Sequence, residues 1–196
     1  MVAPIGLVLA GGAGKRMGRA KGDLLVGGRP LALRAAQLLA PLCEGVLISV
    51  GPGRANPAPG YPVVEDAGPA GRGPLAGIDA AFAATSAADL LVLACDYPQM
   101  GSELLRALLA QAVPGDELVL PRDSAGRDHP LVALWRRVTH ARVSAALRRA
   151  AFRVDAIVAG SKVRRLDPAA FPGIDLDALL VNVNRPEQLP QTAAPD

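Results

Sequence analysis

Apolar residues in this chain gather in short unbroken runs, each closed by glycine, proline or an acidic residue. Ile5-Gly6-Leu7-Val8-Leu9-Ala10, Val46-Leu47-Ile48-Ser49-Val50 and Leu90-Leu91-Val92-Leu93-Ala94 are too short for helices. Such runs, without polar alternation, are the pattern of strands buried on both faces. Val63-Val64 predicts a further short strand ending at Glu65-Asp66, and Leu118-Val119-Leu120 and residues 131–135 predict two more. Alanine- and leucine-rich stretches between them predict helices over residues 30–42, 75–84, 102–111 and 139–150. Pro30 opens the first of these, at the turn where its missing N–H costs nothing. Ser102 is placed to cap the third. Residues 51–62, rich in glycine and proline, read as a loop. Beyond Phe152 the pattern weakens, with an edge strand over residues 163–166 and a short extended piece at Leu180-Val181-Asn182-Val183-Asn184. Strands alternating with helices predict a three-layer α/β fold around a doubly wound, mostly parallel sheet. No internal repeat or composition break divides the chain, so residues 1–196 are expected to form one domain.

The first run ends in Ala10-Gly11-Gly12-Ala13-Gly14-Lys15-Arg16-Met17-Gly18, with Lys21 just beyond. Glycines let the backbone approach an anion and present successive N–H groups to phosphate oxygens. Arg16 offers a planar fork to two such oxygens, and Lys21 a compact charge. In open α/β sheets ligands bind beyond the carboxyl ends of the strands, where this loop falls. Two familiar readings fail. A P-loop needs glycine where Leu9 stands and a hydroxyl where Arg16 stands. A dinucleotide fingerprint counted from Gly12 needs glycine at Met17, and Val50-Gly51 leaves the second strand without its terminal acid.

Asp96 closes the most apolar strand and is followed by Tyr97-Pro98. A carboxylate there suits Mg2+, which takes oxygen ligands together with substrate phosphates. The alternative, an N-cap for the helix after Pro98, is better served by Ser102. Asp66 lies before a glycine-rich loop, where carboxylates are mostly solvated or bonded to their own turn. Gly73 to Gly77 either present N–H groups to a nucleotide or form a proline-initiated helix entry.

Composition narrows the partners. The chain is 51% hydrophobic but only 3% aromatic, which argues against base-stacking surfaces for single-stranded nucleic acid. A net charge of +3 suits a polyanionic small molecule and is weak for a nucleic-acid binder. Cys43 and Cys95 make no disulfide framework and read as buried small hydrophobes. No signal segment and no run of roughly 18 apolar residues is present, so a cytoplasmic protein without membrane contact is expected.

The ordered motifs resemble a known family. Leu9-Ala10-Gly11-Gly12-x-Gly14-x-Arg16-Met17-Gly18-x-x-Lys21 is similar to the signature loop of nucleotidyltransferases with a Rossmann-like domain. The Gly11-Gly12 pair resembles the molybdenum cofactor guanylyltransferases, the MobA type. Leu24-Leu25-x-x-x-Gly28-x-Pro30-Leu31 follows in that family's order, then Glu65-Asp66, Gly73-Pro74-Leu75-Ala76-Gly77-Ile78 and Cys95-Asp96-x-Pro98. Arg127-Asp128-His129-Pro130 and Asn182-Val183-Asn184-x-Pro186-Glu187 complete the set.

The resemblance implies transfer of GMP from GTP to molybdopterin, with release of pyrophosphate and formation of the guanine dinucleotide cofactor. Residues up to about 100 would hold the nucleotide, and residues from about 101 to 190 the acceptor. Catalysis would rest on Arg16, Lys21 and Asp96, the last holding Mg2+. Leu9, Ala10, Gly11, Gly12, Ala13, Gly14, Asp66, Gly73 and Gly77 would line the nucleotide side. Arg127, Asp128, His129, Asn182 and Asn184 would serve the acceptor. His129, held extended before proline, is assigned to binding or loop structure. Transient contact with cofactor-synthesis enzymes or recipient apoenzymes is also implied. The chain departs from the family at Gly51-Pro52-Gly53, where members often carry asparagine, so contacts from that loop are expected to be backbone only. The arginines at 136, 137, 142, 148, 149 and 153, with Lys162, Arg164 and Arg165, read as a solvated basic face, a share of which attracts the acceptor phosphate. Rival readings are a CTP-dependent cytidylyltransferase, another small-molecule nucleotidyltransferase, and a non-catalytic nucleotide-binding module. The last would keep the glycine loop without the carboxylate at Asp96.

Overall fold

A computed structural model describes residues 3–11, 21–66, 68–183 and 188. In chain order, β1 (Ile5–Leu9) is followed by a ribbon of β2 (Leu25–Val26) and β3 (Arg29–Pro30), then α1 (Leu31–Leu39), β4 (Gly45–Val50) and β5 (Val63–Glu65). Next come α2 (Pro74–Ala84), β6 (Asp89–Ala94), α3 (Ser102–Ala110), β7 (Leu118–Pro121) and β8 (Val132–Arg136). α4 (His140–Arg148), α5 (Val154–Ala159), β9 (Val163–Leu166) and α6 (Leu176–Leu179) close the fold.

One sheet runs β5-β4-β1-β6-β8-β7-β9. β5, β4, β1 and β6 are parallel, β8 is antiparallel to both neighbours, and β9 is parallel to β7. The expected mostly parallel sheet therefore contains one reversed strand. Alternate side chains of β6 enter opposite layers. Leu91 and Leu93 pack with α1 and α3, and Leu90 and Val92 with α2, α4 and α5. All six residues of β6 are buried, which is why its sequence lacks a polar stripe. Helices on both faces of a wound, mostly parallel sheet make this a three-layer Rossmann-like fold.

Several local expectations change. Pro30 does not begin the first helix; it pairs with Leu25 in the ribbon and is the residue before α1. Gly27 and Gly28, both at positive φ, make the two-residue turn of that ribbon. Ser102 is the first residue of α3 rather than its cap, and no side chain caps that helix. The basic set divides: Arg148, Arg149, Arg153, Lys162 and Arg165 are exposed as expected, whereas Arg136, Arg137, Arg142 and Arg164 form structural ties. Arg137 donates to the carbonyls of Phe82, Thr85 and Ala87 at the end of α2, while Arg136 pairs with Asp89 and Arg142 with Glu117. Arg164 pairs with Asp116. Among the described residues, no helix is long and apolar enough to cross a membrane.

α2 crosses β1 and β4 at Gly77. A Cβ there would collide with Ser49 Oγ and stand 2.8 Å from Leu9 Cδ2. Gly77→Ala is therefore expected to lower stability by about 1–3 kcal/mol, the usual cost of overpacking. Thermal or urea unfolding measures it, and an unchanged midpoint contradicts the close approach.

Candidate functional site

The chain winds outward from β1 to β4 and β5, then returns through α2 to place β6 on the other side of β1. This reversal leaves a crevice beyond the strand ends, the usual ligand position in such sheets. A cavity of about 290 Å³ occupies it. Leu9 and Gly11 contribute from the end of β1, Ser49 and Gly51 from β4, and Ala94, Cys95 and Asp96 from β6. Asp66 follows β5, and Gly73-Pro74 forms the rim at the start of α2. The register aligns Leu9 with both Ser49 and Ala94, so Gly11 sits between the two flanking strand ends.

Lys21 and Asp96 meet across this crevice, Nζ donating to Oδ2 at 2.9 Å. Their side chains are 22% and 16% exposed, so the pair is sheltered yet open to the cavity. Asp96 thus engages Lys21 and caps no helix. Its backbone carbonyl accepts a 2.8 Å bond from Val183 N–H, which brings the 181–183 segment to the strand end. Val183 is buried in the core and Asn182 is exposed. Cys95, beside Asp96, is buried, and that burial pushes its thiol up to about 12, so it stays protonated at neutral pH.

On the opposite side, Ser49 donates to Asp66 Oδ1 at 2.7 Å. Asp66 Oδ2 faces Gly11, only 3.1 Å from where a Cβ at Gly11 would stand. Ser49 is buried at the crossing of α2, and its hydroxyl fixes the carboxylate at the cavity wall. Burial raises the Asp66 carboxyl above its ordinary 3.8, more strongly than the Ser49 bond lowers it.

The residues expected to bind the nucleotide divide accordingly. Leu9, Gly11, Lys21, Asp66, Gly73 and Asp96 line the cavity. Ala10 is buried behind it, its N–H bonded to Ser49 O, and Gly77 lies at the helix crossing rather than on the wall. Gly12, Ala13, Gly14, Arg16 and Asn184 lie outside the described residues. On the acceptor side, His129 is buried, with its ring nitrogens 3.3 Å from Tyr97 Oη and 3.1 Å from Asp123 Oδ2. Asp128 joins Arg122 and Arg165 at 3.0 and 2.9 Å. Arg127 is exposed. These three residues are absent from the cavity wall, to which the neighbouring Leu131 belongs.

Two wall residues with polar side chains, Ser49 and Arg54, went unrecognised in the sequence. Ser49 hides inside an apolar strand. Arg54 returns to the cavity because residues 51–54 form a tight turn, its N–H bonded to Gly51 O at 3.1 Å. Pro52 takes the second position and Gly53, at φ 67°, the third, as a type II turn requires. The loop therefore does bring a side chain to the cavity, contrary to the expectation of backbone contacts alone. A proline–glycine pair between Gly51 and Arg54 was the available signal.

Because Asp66 holds its proton more tightly in the folded chain than in the unfolded one, folding takes up a proton between the two values. Stability is therefore lost as pH rises from the ordinary carboxylate value through the raised one. Asp66→Asn, which keeps an acceptor for Ser49, should lack that part of the decline. Melting temperatures across acidic to neutral pH check this, and identical profiles contradict it.

The MobA-like NTP transferase domain matches residues 6–165. The molybdenum cofactor guanylyltransferase of Rhodobacter capsulatus is 37% identical over 190 residues, covering 94% of this chain and 92% of that protein. The Rhizobium meliloti (strain 1021) protein of the same name is 38% identical over 141 residues, 67% of this chain and 63% of its own length. The crystal structure of molybdopterin-guanine dinucleotide biosynthesis protein A from Archaeoglobus fulgidus has the same fold, with a TM-score of 0.75 at 20% identity, covering 93% of both chains. Extended matches to both the domain and a full-length relative, on a chain whose crevice has these residues at its strand ends, lead to one conclusion: the chain belongs to the MobA-type family of nucleotidyltransferases.

Proposed function

We propose that this chain transfers GMP from GTP to molybdopterin, releasing pyrophosphate. The observation that carries the reading is the Lys21–Asp96 pair, set beside Gly11 at the reversal point of the sheet. The names borne by the relatives at 37% and 38% identity support the choice of guanylyl group and acceptor.

In this reading the nucleotide's phosphates lie over the end of β1. Lys21 leaves Asp96 to neutralise them, joined by Arg16 and the backbone N–H groups from Gly11 to Gly14. Leu9 forms the floor with Ala10 packed behind it, and Asp66 and Gly73 hold the nucleoside side. The acceptor phosphate attacks the α-phosphorus in line with the departing pyrophosphate. An attacking phosphate is already ionised, so the chain's task is positioning and charge stabilisation. The acceptor side falls to residues 101–190, with Arg127 and Asn182 exposed there and Asn184 beside them in sequence. Asp128 and His129 act through the loop they brace.

Among the described residues, no three His, Cys, Asp or Glu side chains gather as a metal site. Mg2+ in nucleotide enzymes is commonly held by one or two carboxylates, with substrate phosphates and water completing its shell. A partly exposed Asp96 with a displaceable cation partner fits that requirement. Once bound there, the metal would lower the cost of charge on the phosphate oxygens.

Purified chain supplied with molybdopterin, Mg2+ and each nucleoside triphosphate in turn is expected to release pyrophosphate with GTP. Release with CTP alone would make it a cytidylyltransferase, and release with none would leave a binding module. Lys21→Ala should keep its melting temperature within a few degrees and lose about a hundredfold to a thousandfold in turnover. Near-normal turnover would remove Lys21 from the chemistry.

A further inference from the structure

Arg54 lies in the cavity wall, yet the phosphate reading gives it no task. The cavity spans the ends of β5, β4, β1 and β6, about 14 Å at ordinary strand spacing. Lys21 and Asp96 mark its β1–β6 side as the polyanion end. A nucleotide laid along it must carry its base toward β4 and β5.

That end holds a cation and an anion. The type II turn folds Arg54 back over the end of β4, with Cδ 3.8 Å and Nε 3.9 Å from where a Cβ of Gly51 would stand. Among the described residues, the Arg54 guanidinium has no hydrogen-bond partner, although other cavity-wall side chains do. Asp66 has Oδ1 bound to Ser49, and Oδ2 has no donor among the described residues. One wall therefore offers a planar fork of donors and a carboxylate acceptor.

Guanine is the base that matches both. Its O6 and N7 accept side by side, and arginine donates to that pair in the commonest specific contact with this base. Its N1–H and exocyclic amine donate on the adjoining edge, as a carboxylate requires. Adenine and cytosine place an amino group where guanine has O6, so they would face the guanidinium with a donor. We infer that Arg54 selects the base, its guanidinium donating to guanine O6 and N7 while Asp66 accepts from N1–H and the exocyclic amine on the adjoining edge. This rests on the nucleotide-site reading above and deepens it.

Calorimetric binding of GTP, 7-deaza-GTP, ATP and CTP to wild type, Arg54→Ala and Arg54→Lys, all with Mg2+, tests it. Arg54 is exposed on a turn, so both variants should melt with the wild type. Wild type should prefer GTP to ATP and CTP by about tenfold to a hundredfold, and should bind 7-deaza-GTP, which lacks the N7 acceptor, more weakly than GTP. In Arg54→Ala the gap between GTP and 7-deaza-GTP should close and the preference over ATP should collapse. Arg54→Lys should keep charge without the fork and lose most of the preference. If Arg54→Ala keeps both the preference and the 7-deaza gap, the assignment of Arg54 fails while the site reading stands. Weakening of all four nucleotides by one common factor would put Arg54 on phosphate instead and also overturn it. A wild type that prefers CTP, or binds no nucleotide, overturns the site reading and this inference together.

Discussion

β1 is hydrogen-bonded to a parallel strand on each side, and the chain reaches those neighbours by travelling in opposite directions. Everything functional depends on that arrangement. It aligns Leu9 with Ser49 and Ala94, so three strands end at one level and their connections diverge. The gap left between the diverging connections is the cavity. Gly77 sets how closely α2 approaches β1 and β4, and so holds Ser49 under Asp66. A slip of one residue in the β1–β6 register would turn alternate side chains to the other layer and carry Asp96 away from Lys21.

Charge is distributed along the crevice as a second consequence. The two ends carry carboxylates of different character. Asp96 is balanced by Lys21 at 2.9 Å, whereas Asp66 is steadied by a neutral hydroxyl and raised by burial. A phosphate arriving at the first end can exchange for the carboxylate as the partner of Lys21. At the second end the turn through Pro52 and Gly53 supplies a cation to set against an anion. In the proposed reading, polyanion capture and base selection are separated by the width of the intervening strands, and each is anchored to its own strand end.

Much of this is legible in the sequence. The runs at β1, β4 and β6 are buried on both sides, so their composition is uniform and their boundaries sharp. Asp96 could be singled out because it closes a buried apolar run, Lys21 because it follows a glycine-rich loop, and Asp66 because the ordered motifs included it. The direction of β8 was not legible, since a buried strand has the same apolar run whichever way it points. The β2–β3 ribbon escaped because two-residue strands leave no periodicity and its Gly27-Gly28 turn lay within a glycine-rich stretch. α5 and α6 were missed because six and four residues are too few to establish a helical repeat. Ser49 was hidden by its apolar neighbours, and its meaning appears only when Asp66 and Gly77 are brought beside it. His129 and Asp128 stood out as possible substrate contacts, and both have protein partners: Tyr97 and Asp123 for His129, Arg122 and Arg165 for Asp128. The glycine loop itself, through Gly12, Ala13, Gly14 and Arg16, lies outside the described residues.

The central claim is that Lys21 and Asp96 are partners without nucleotide and part company with it, which ties divalent-metal binding to nucleotide binding. Titrating Mn2+ as a spectroscopic substitute for Mg2+ tests this directly, comparing the chain alone with the chain plus a nonhydrolysable GTP analogue. Weak binding without nucleotide, a marked gain with it beyond that of the analogue in solution, and loss of the gain in Asp96→Asn are the predicted results. Equally tight Mn2+ binding with and without nucleotide, or an undiminished gain in Asp96→Asn, would contradict the account.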